Sequence, residues 1–124
     1  MTYKWDGKKP TALMLGRWQP FHDGHYMLFK EIIKKTGQVC IQIRDVEGID
    51  DNPFDFDTVK RNIEERLIPE FKGRFKIILV PNITNICYGR GVGYKIEEIV
   101  LDEETQKISA TKIRAKMREE GKLK

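Results

Sequence analysis

TALMLGRWQPFHDGHYMLFKEIIKKTG, residues 11–37, carries the main clue to the architecture of this chain. TALMLG is a short apolar run ended by glycine, too brief for a helix and well suited to a buried strand over 11–16. Pro20 bars a helix from running through it, and Asp23 is a sound N-cap for the segment GHYMLFKEIIKKTG. Met27, Leu28, Ile32 and Lys35 stand at helical spacing, and Gly37 closes the segment. The stretch therefore predicts strand, tight loop and helix, with the chain's only two histidines, His22 and His25, where loop enters helix.

Beyond this unit, QVCIQI at 38–43 reads as a second strand, followed by a long loop through RDVEGIDDNPFDFD. Asp57 or Thr58 is placed to cap a second helix, VKRNIEERLIPEF, with Val59, Ile63, Leu67 and Ile68 along one face. KIILVP at 76–81 is an uninterrupted apolar run, as expected of a strand covered on both faces. TNICYGRGVGY mixes a short strand with a glycine-rich turn, KIEEIVL alternates like an outer strand, and ISATKIRAKMREEGKLK opens on small hydroxyl residues and continues as a basic helix. Strand–helix–strand–helix–strand predicts an α/β domain with a Rossmann-like, doubly wound parallel sheet, a single domain over 1–124. In such sheets ligands bind beyond the carboxyl ends of the strands. Gly16 to His25, Arg44 onward and Pro81 to Asn85 fall on that edge.

Composition narrows the class. With 124 residues, 40% hydrophobic and 34% charged, the chain suits one globular unit. A net charge of +4 favours anionic ligands, phosphate-bearing small molecules before nucleic acid. Nucleic acid is disfavoured as a partner because the basic tail includes glutamates and lacks interleaved aromatics. No apolar leader or membrane-length run is present, so a cytoplasmic protein with no membrane partner is expected. Cys40 and Cys87 sit in apolar runs and read as buried, reduced thiols. A homodimer is the default assembly.

In GRWQPFHDGH, residues 16–25, glycine lets the backbone approach a ligand, and the helix start offers unpaired N–H groups with partial positive charge. His22 and His25 can donate hydrogen bonds to phosphate oxygens, and Arg17 can add a bidentate clamp. Two histidines alone make a poor metal site, so no protein-bound metal is expected. ISATKIR by itself is either a plain N-cap or an anion site. Trp18 and Phe21 are open to two roles, stacking on a ligand or packing in the core. Arg44 stands at a strand end that suits an acceptor phosphate, and equally suits a solvated loop. Tyr88 and Arg90, in YGRGVGYK, are candidates for shaping a pocket.

GRWQPFHDGH resembles the signature GxxxPxHxGH of the HxGH nucleotidylyltransferase superfamily, and ISATKIR at 108–114 is similar to its second signature, ISxTxIR. NPF at 52–54 also resembles the archaeal-type nicotinamide mononucleotide adenylyltransferases. The resemblance implies that His22 and His25 contact the nucleotide phosphates and stabilise the pentavalent transition state. It implies further that Gly16, Arg17 and Trp18 belong to the nucleotide site and that Gly24 admits the ribose. Ser109 and Thr111 would hold the β and γ phosphates, with Arg114 beside them. The implied reaction moves a nucleotidyl group from an NTP to a phosphorylated small molecule, with Mg²⁺ on the departing pyrophosphate. ATP leads because arginine follows the glycine; a cytidylyltransferase using CTP is the alternative, and a non-catalytic nucleotide- or nucleic-acid-binding module is a further one. Where nicotinamide-type enzymes carry a GSxQ-like stretch this chain has IRDVEG, which leaves the acceptor's identity open.

Overall fold

The computed structural model describes residues 3–91 and 93–123. The elements are β1 (Ala12–Gly16), α1 (Asp23–Thr36), β2 (Val39–Arg44), α2 (Phe56–Phe71), β3 (Phe75–Val80), α3 (Glu103–Gln106) and α4 (Ala110–Glu119). The strands form one parallel sheet in the order β1-β2-β3. Met14 lies opposite Ile41 and Ile41 opposite Ile77, while Leu13, Cys40 and Lys76 form the neighbouring row.

That register sorts the side chains between the two faces of the sheet, because successive residues of a strand point opposite ways. Met14, Val39, Ile41 and Ile43 are buried and join Phe29, Ile32 and Ile33 of α1 and Val59, Ile63, Leu67 and Phe71 of α2 in one core. Val59, Ile63 and Leu67 are completely buried, each contributing roughly 1.5–3 kcal/mol of apolar transfer. The alternate row is different: Leu13 is 55% and Ile78 41% exposed. The apolar core thus lies on one face only. Successive crossovers of one hand, stepping steadily from β1 to β3, keep their helices on one side. Winding the second face requires the chain to return beyond β1, and residues 81–102 form no strand among the described residues. The sheet is Rossmann-like in direction and connection, and the described residues do not complete the doubly wound arrangement.

Several local expectations shift for identifiable reasons. His22, not Asp23, caps α1, and Gly37 ends it in the left-handed conformation at φ 81°. Asp55 caps α2, its carboxylate accepting the Thr58 N–H at 2.8 Å, so the helix begins before Asp57. Phe71 completes the buried stripe of α2 at i+4 spacing, whereas Ile68 is exposed. β3 is an edge strand instead of a doubly covered one. KIEEIVL is irregular, and Cys87 is exposed in an irregular segment, while Cys40 is half-buried on the open sheet face; both thiols are free. Among the described residues no helix is long and apolar enough to cross a membrane.

Candidate active site at the converging helix starts

The loop from Gly16 to His22 is shaped by its own aromatic. Trp18 takes a left-handed φ of 55°, folding its indole back over Gly16. A Cβ at Gly16 would lie 2.6 Å from that ring, so only glycine fits there. The indole N–H donates to the Gln42 carbonyl at 3.2 Å, and the ring is buried between Phe21 and His25. Of its two open roles, Trp18 takes core packing. It forms the wall behind His25, and Phe21 is buried with it.

His22 and His25 form a reciprocal capping box. Nδ1 of His22 accepts the backbone N–H of Gly24 at 3.0 Å and of His25 at 3.4 Å, while Nδ1 of His25 accepts the N–H of His22 at 3.2 Å. In each neutral ring the hydrogen then resides on Nε2, because Nδ1 is engaged as an acceptor. The rings stack with centroids 3.6 Å apart and planes 18° from parallel. Burial, and secondarily the neighbouring His22 ring, pushes His25 down to about 3. Burial also lowers His22, partly opposed by Asp23. At neutral pH the pair is therefore two uncharged Nε2–H donors at the start of a helix, where backbone N–H groups add a fixed partial positive charge.

This burial makes stability depend on pH. An unfolded histidine titrates near 6.5, and folded His25 far lower, so the unfolded chain takes the proton first. The contribution to stability is complete above about pH 6.5 and lost progressively as pH falls toward about 3. Glutamine at the third helical position can still complete a capping box without titrating. Urea unfolding of the His25→Gln variant should show a shallower loss of stability between about pH 6.5 and 4 than the parent. Parallel curves would contradict the assignment.

The second motif arrives from the chain's far end. Ser109 caps α4, its hydroxyl oxygen accepting the Lys112 N–H at 3.4 Å. A Cβ at Gly24 would lie 2.8 Å from Cε1 of His22 and 3.6 Å from Cβ of Ile108. The starts of α1 and α4 thus meet at Gly24, whose missing side chain admits the close approach of the His22 ring. Thr111 and Arg17 stand near these helix starts in sequence, and both are exposed.

Arg114 stands beside Thr111 and is buried. Its side chain is only 7% exposed; Nε donates to Asp51 Oδ2 at 2.8 Å, one terminal nitrogen to the Gln19 carbonyl and the other to Thr111 Oγ1 at 3.4 Å. It is a strut that fastens α4 to both loops. Asp51 also pairs with Arg118, and the hydrogen bonds from Arg118 and Arg114 hold its carboxyl down to about 2. Gln19 completes the junction. Its buried amide donates to the Phe54 carbonyl at 3.0 Å and accepts the Phe54 N–H at 2.9 Å. Sequence inspection misses Gln19 and Asp51: one sits at a variable motif position and the other in an acidic run that looks solvated.

At the carboxyl ends of β2 and β3 lies a cleft of about 260 Å³, lined in part by Gln19, Arg44, Phe54 and Asp57. Arg44 donates to Asn82 Oδ1 at 2.8 Å, while its Nε is buried without a partner. Tyr88 and Arg90 are not brought to the histidines by any contact among the described residues. Tyr88 packs edge-on against Tyr94, whose hydroxyl donates to the Arg90 carbonyl at 3.0 Å, a self-contained turn.

No protein-family model matches the chain. A nicotinamide-nucleotide adenylyltransferase of Methanococcus aeolicus is 44% identical over 45 residues, 35% of this chain and 26% of that protein. Nicotinamide-nucleotide adenylyltransferases from two strains of Methanococcus maripaludis are 47% identical over 32 residues, 26% of this chain and 19% of theirs. The matches thus span about a quarter or less of the relatives' length. Over that segment the resemblance to HxGH nucleotidylyltransferases is borne out.

Proposed function

We propose that this chain is a nucleotidylyltransferase that moves a nucleoside monophosphate from an NTP, ATP before CTP, to a phosphorylated small molecule. The observation carrying this reading is the His22–His25 pair, whose Nδ1 atoms are tied to backbone and whose Nε2–H groups are left to donate beside two converging helix starts. Such a site suits in-line phosphoryl chemistry, which depends on positioning and on charge stabilisation more than on a protein nucleophile. An oxygen of the acceptor phosphate attacks the α-phosphorus, forming a new P–O bond. The bond from the α-phosphorus to its bridging oxygen breaks, and pyrophosphate leaves with the electron pair. His22 and His25 donate hydrogen bonds to oxygens gaining charge, with no proton transfer required. Ser109, Thr111 and Arg17 are assigned to the β and γ phosphates. Among the described residues no three His, Cys, Asp or Glu side chains are arranged to hold a metal ion. Mg²⁺ is assigned to the triphosphate and enters with the substrate.

The names of the relatives support adenylyl transfer. The direct test is melting with each NTP and Mg²⁺, followed by a pyrophosphate-release screen of phosphorylated acceptors. An NTP at about 100 times its Kd should add roughly 2.7 kcal/mol of stability. Strong stabilisation by CTP alone would move the assignment to cytidylyl transfer, binding without pyrophosphate release would point to a non-catalytic module, and flat responses to every NTP would remove the reading.

Arg44 is assigned to the acceptor phosphate because its buried Nε–H has no partner and lines the cleft at the strand ends. The Arg44→Met variant should raise KM for the acceptor by about 10- to 100-fold, as expected for a lost charge-assisted hydrogen bond. The NTP-induced melting shift should stay at the parent value. An unchanged acceptor KM would remove Arg44 from that role.

A further inference from the structure

Trp18 holds a backbone conformation that bulky residues rarely adopt. At φ 55° its Cβ crowds the following carbonyl, a strain that glycine would not carry. Strained residues persist where the surrounding structure over-determines them, and they cluster at functional sites. Several contacts over-determine this one. The indole N–H donates to the Gln42 carbonyl at 3.2 Å, the ring lies over Gly16, and edge-on contacts reach Phe21 at 5.8 Å and His25 at 4.7 Å. The side chain is 5% exposed, so these contacts are made away from solvent.

His25 needs such a neighbour. Among the described residues its side chain makes one hydrogen bond, accepting the His22 N–H at Nδ1 over 3.2 Å, which fixes one atom and leaves the ring free to turn about it. Packing supplies what that bond does not. His22 stacks on the ring with planes 18° from parallel, while Trp18 stands nearly perpendicular to it at 83°. The two neighbours differ in what carries them. His22 caps the same helix and moves with His25, whereas Trp18 is bonded through Gln42 to the middle strand.

We propose that Trp18 is a positioning residue for His25: pinned to β2 through its indole N–H, it fixes the plane of the imidazole and hence the direction in which Nε2–H points. The inference rests on the reading of His22 and His25 as phosphate donors. Aim decides what such a donor contributes, because hydrogen bonds weaken steeply as they bend, and a misplacement of about 1 Å costs about 10²-fold in rate. The same indole wall contributes to the burial that lowers His25 to about 3. Trp18 and Phe21 are uncharged, so His22 is the titratable group facing His25, and Asp23 acts in turn on His22.

Two variants separate aim from packing. Trp18→Phe keeps a ring but loses the bond to Gln42, and Trp18→Asn removes the ring while tolerating the left-handed backbone. Both should keep the far-ultraviolet circular dichroism of the parent. For pyrophosphate release kcat should fall about 10-fold in Trp18→Phe and about 10²-fold in Trp18→Asn, with KM for the NTP within about threefold of the parent. Nuclear magnetic resonance of the histidine Cε1–H protons reads the same ring in the free protein. The parent His25 signal should hold its position from about pH 8 to about pH 5, and should titrate closer to the ordinary value near 6.5 in Trp18→Asn and, less so, in Trp18→Phe. A tryptophan that only packs would lower Tm and leave kcat and the titration at parent values, which overturns the proposal. Should Trp18→Asn not fold, Trp18→Phe decides by the same readings. A parent chain that binds no NTP removes the phosphate reading, and the titration then decides by itself whether Trp18 holds the ring.

Discussion

The His22→Asn variant is expected to melt close to the parent temperature and to release pyrophosphate about 10²- to 10³-fold more slowly. The two halves of that expectation come from different atoms of one ring. Nδ1 of His22 caps α1 by accepting the Gly24 and His25 N–H groups. Asparagine is among the best N-cap residues, so its amide oxygen can take over that work. Nε2–H has no counterpart in asparagine at the same reach, so only the donor assigned to the phosphate oxygens is removed. Alanine would confound the two, since losing an N-cap costs about 1 kcal/mol on top of any catalytic loss. Pyrophosphate release at saturating NTP, read beside a melting curve, separates the effects. Parent-like turnover in a folded His22→Asn protein would sink the assignment of this ring to catalysis.

Arg114→Met is expected to give the largest loss of stability, about 2–3 kcal/mol, or roughly 10 °C in Tm. The residue is buried at 5% exposure, and its guanidinium reaches Gln19, Asp51 and Thr111 together. Methionine fills much of the volume but leaves the Gln19 carbonyl without its donor, and an unsatisfied buried acceptor costs about 1–3 kcal/mol. The same bonds hold α4, and with it Ser109 and Thr111, against the GRWQP loop. The variant should therefore also weaken NTP binding. Denaturant titration with and without NTP measures both effects. A parent-like midpoint would show that α4 docks by other means.

Much of the fold is legible in the sequence because it rests on local rules. The apolar run TALMLG, Pro20 after it and Gly37 at the helix end each act over a few residues, and strand and helix appear within a residue or two of their expected bounds. The cap of α1 lies one position earlier than expected because histidine is an uncommon N-cap. Its capping depends on a ring geometry shared with His25, a pairing that residue preferences do not encode. KIEEIVL fails as a strand for a different reason: alternation states which side chains could face a sheet, but a strand exists only where a partner edge pairs with it.

Periodicity and turn chemistry are properties of neighbours along the chain, and they suffice for the order β–α–β–α–β, the buried stripes of α1 and α2, and the placing of both histidines at a helix start. Long-range packing settles the rest: which face of the sheet is covered, that Trp18 and Arg114 are spent on packing and fastening, and that Gly24 is where the two helix starts meet. Those outcomes depend on contacts between residues as far apart as Gln19 and Arg114, and no local pattern specifies them.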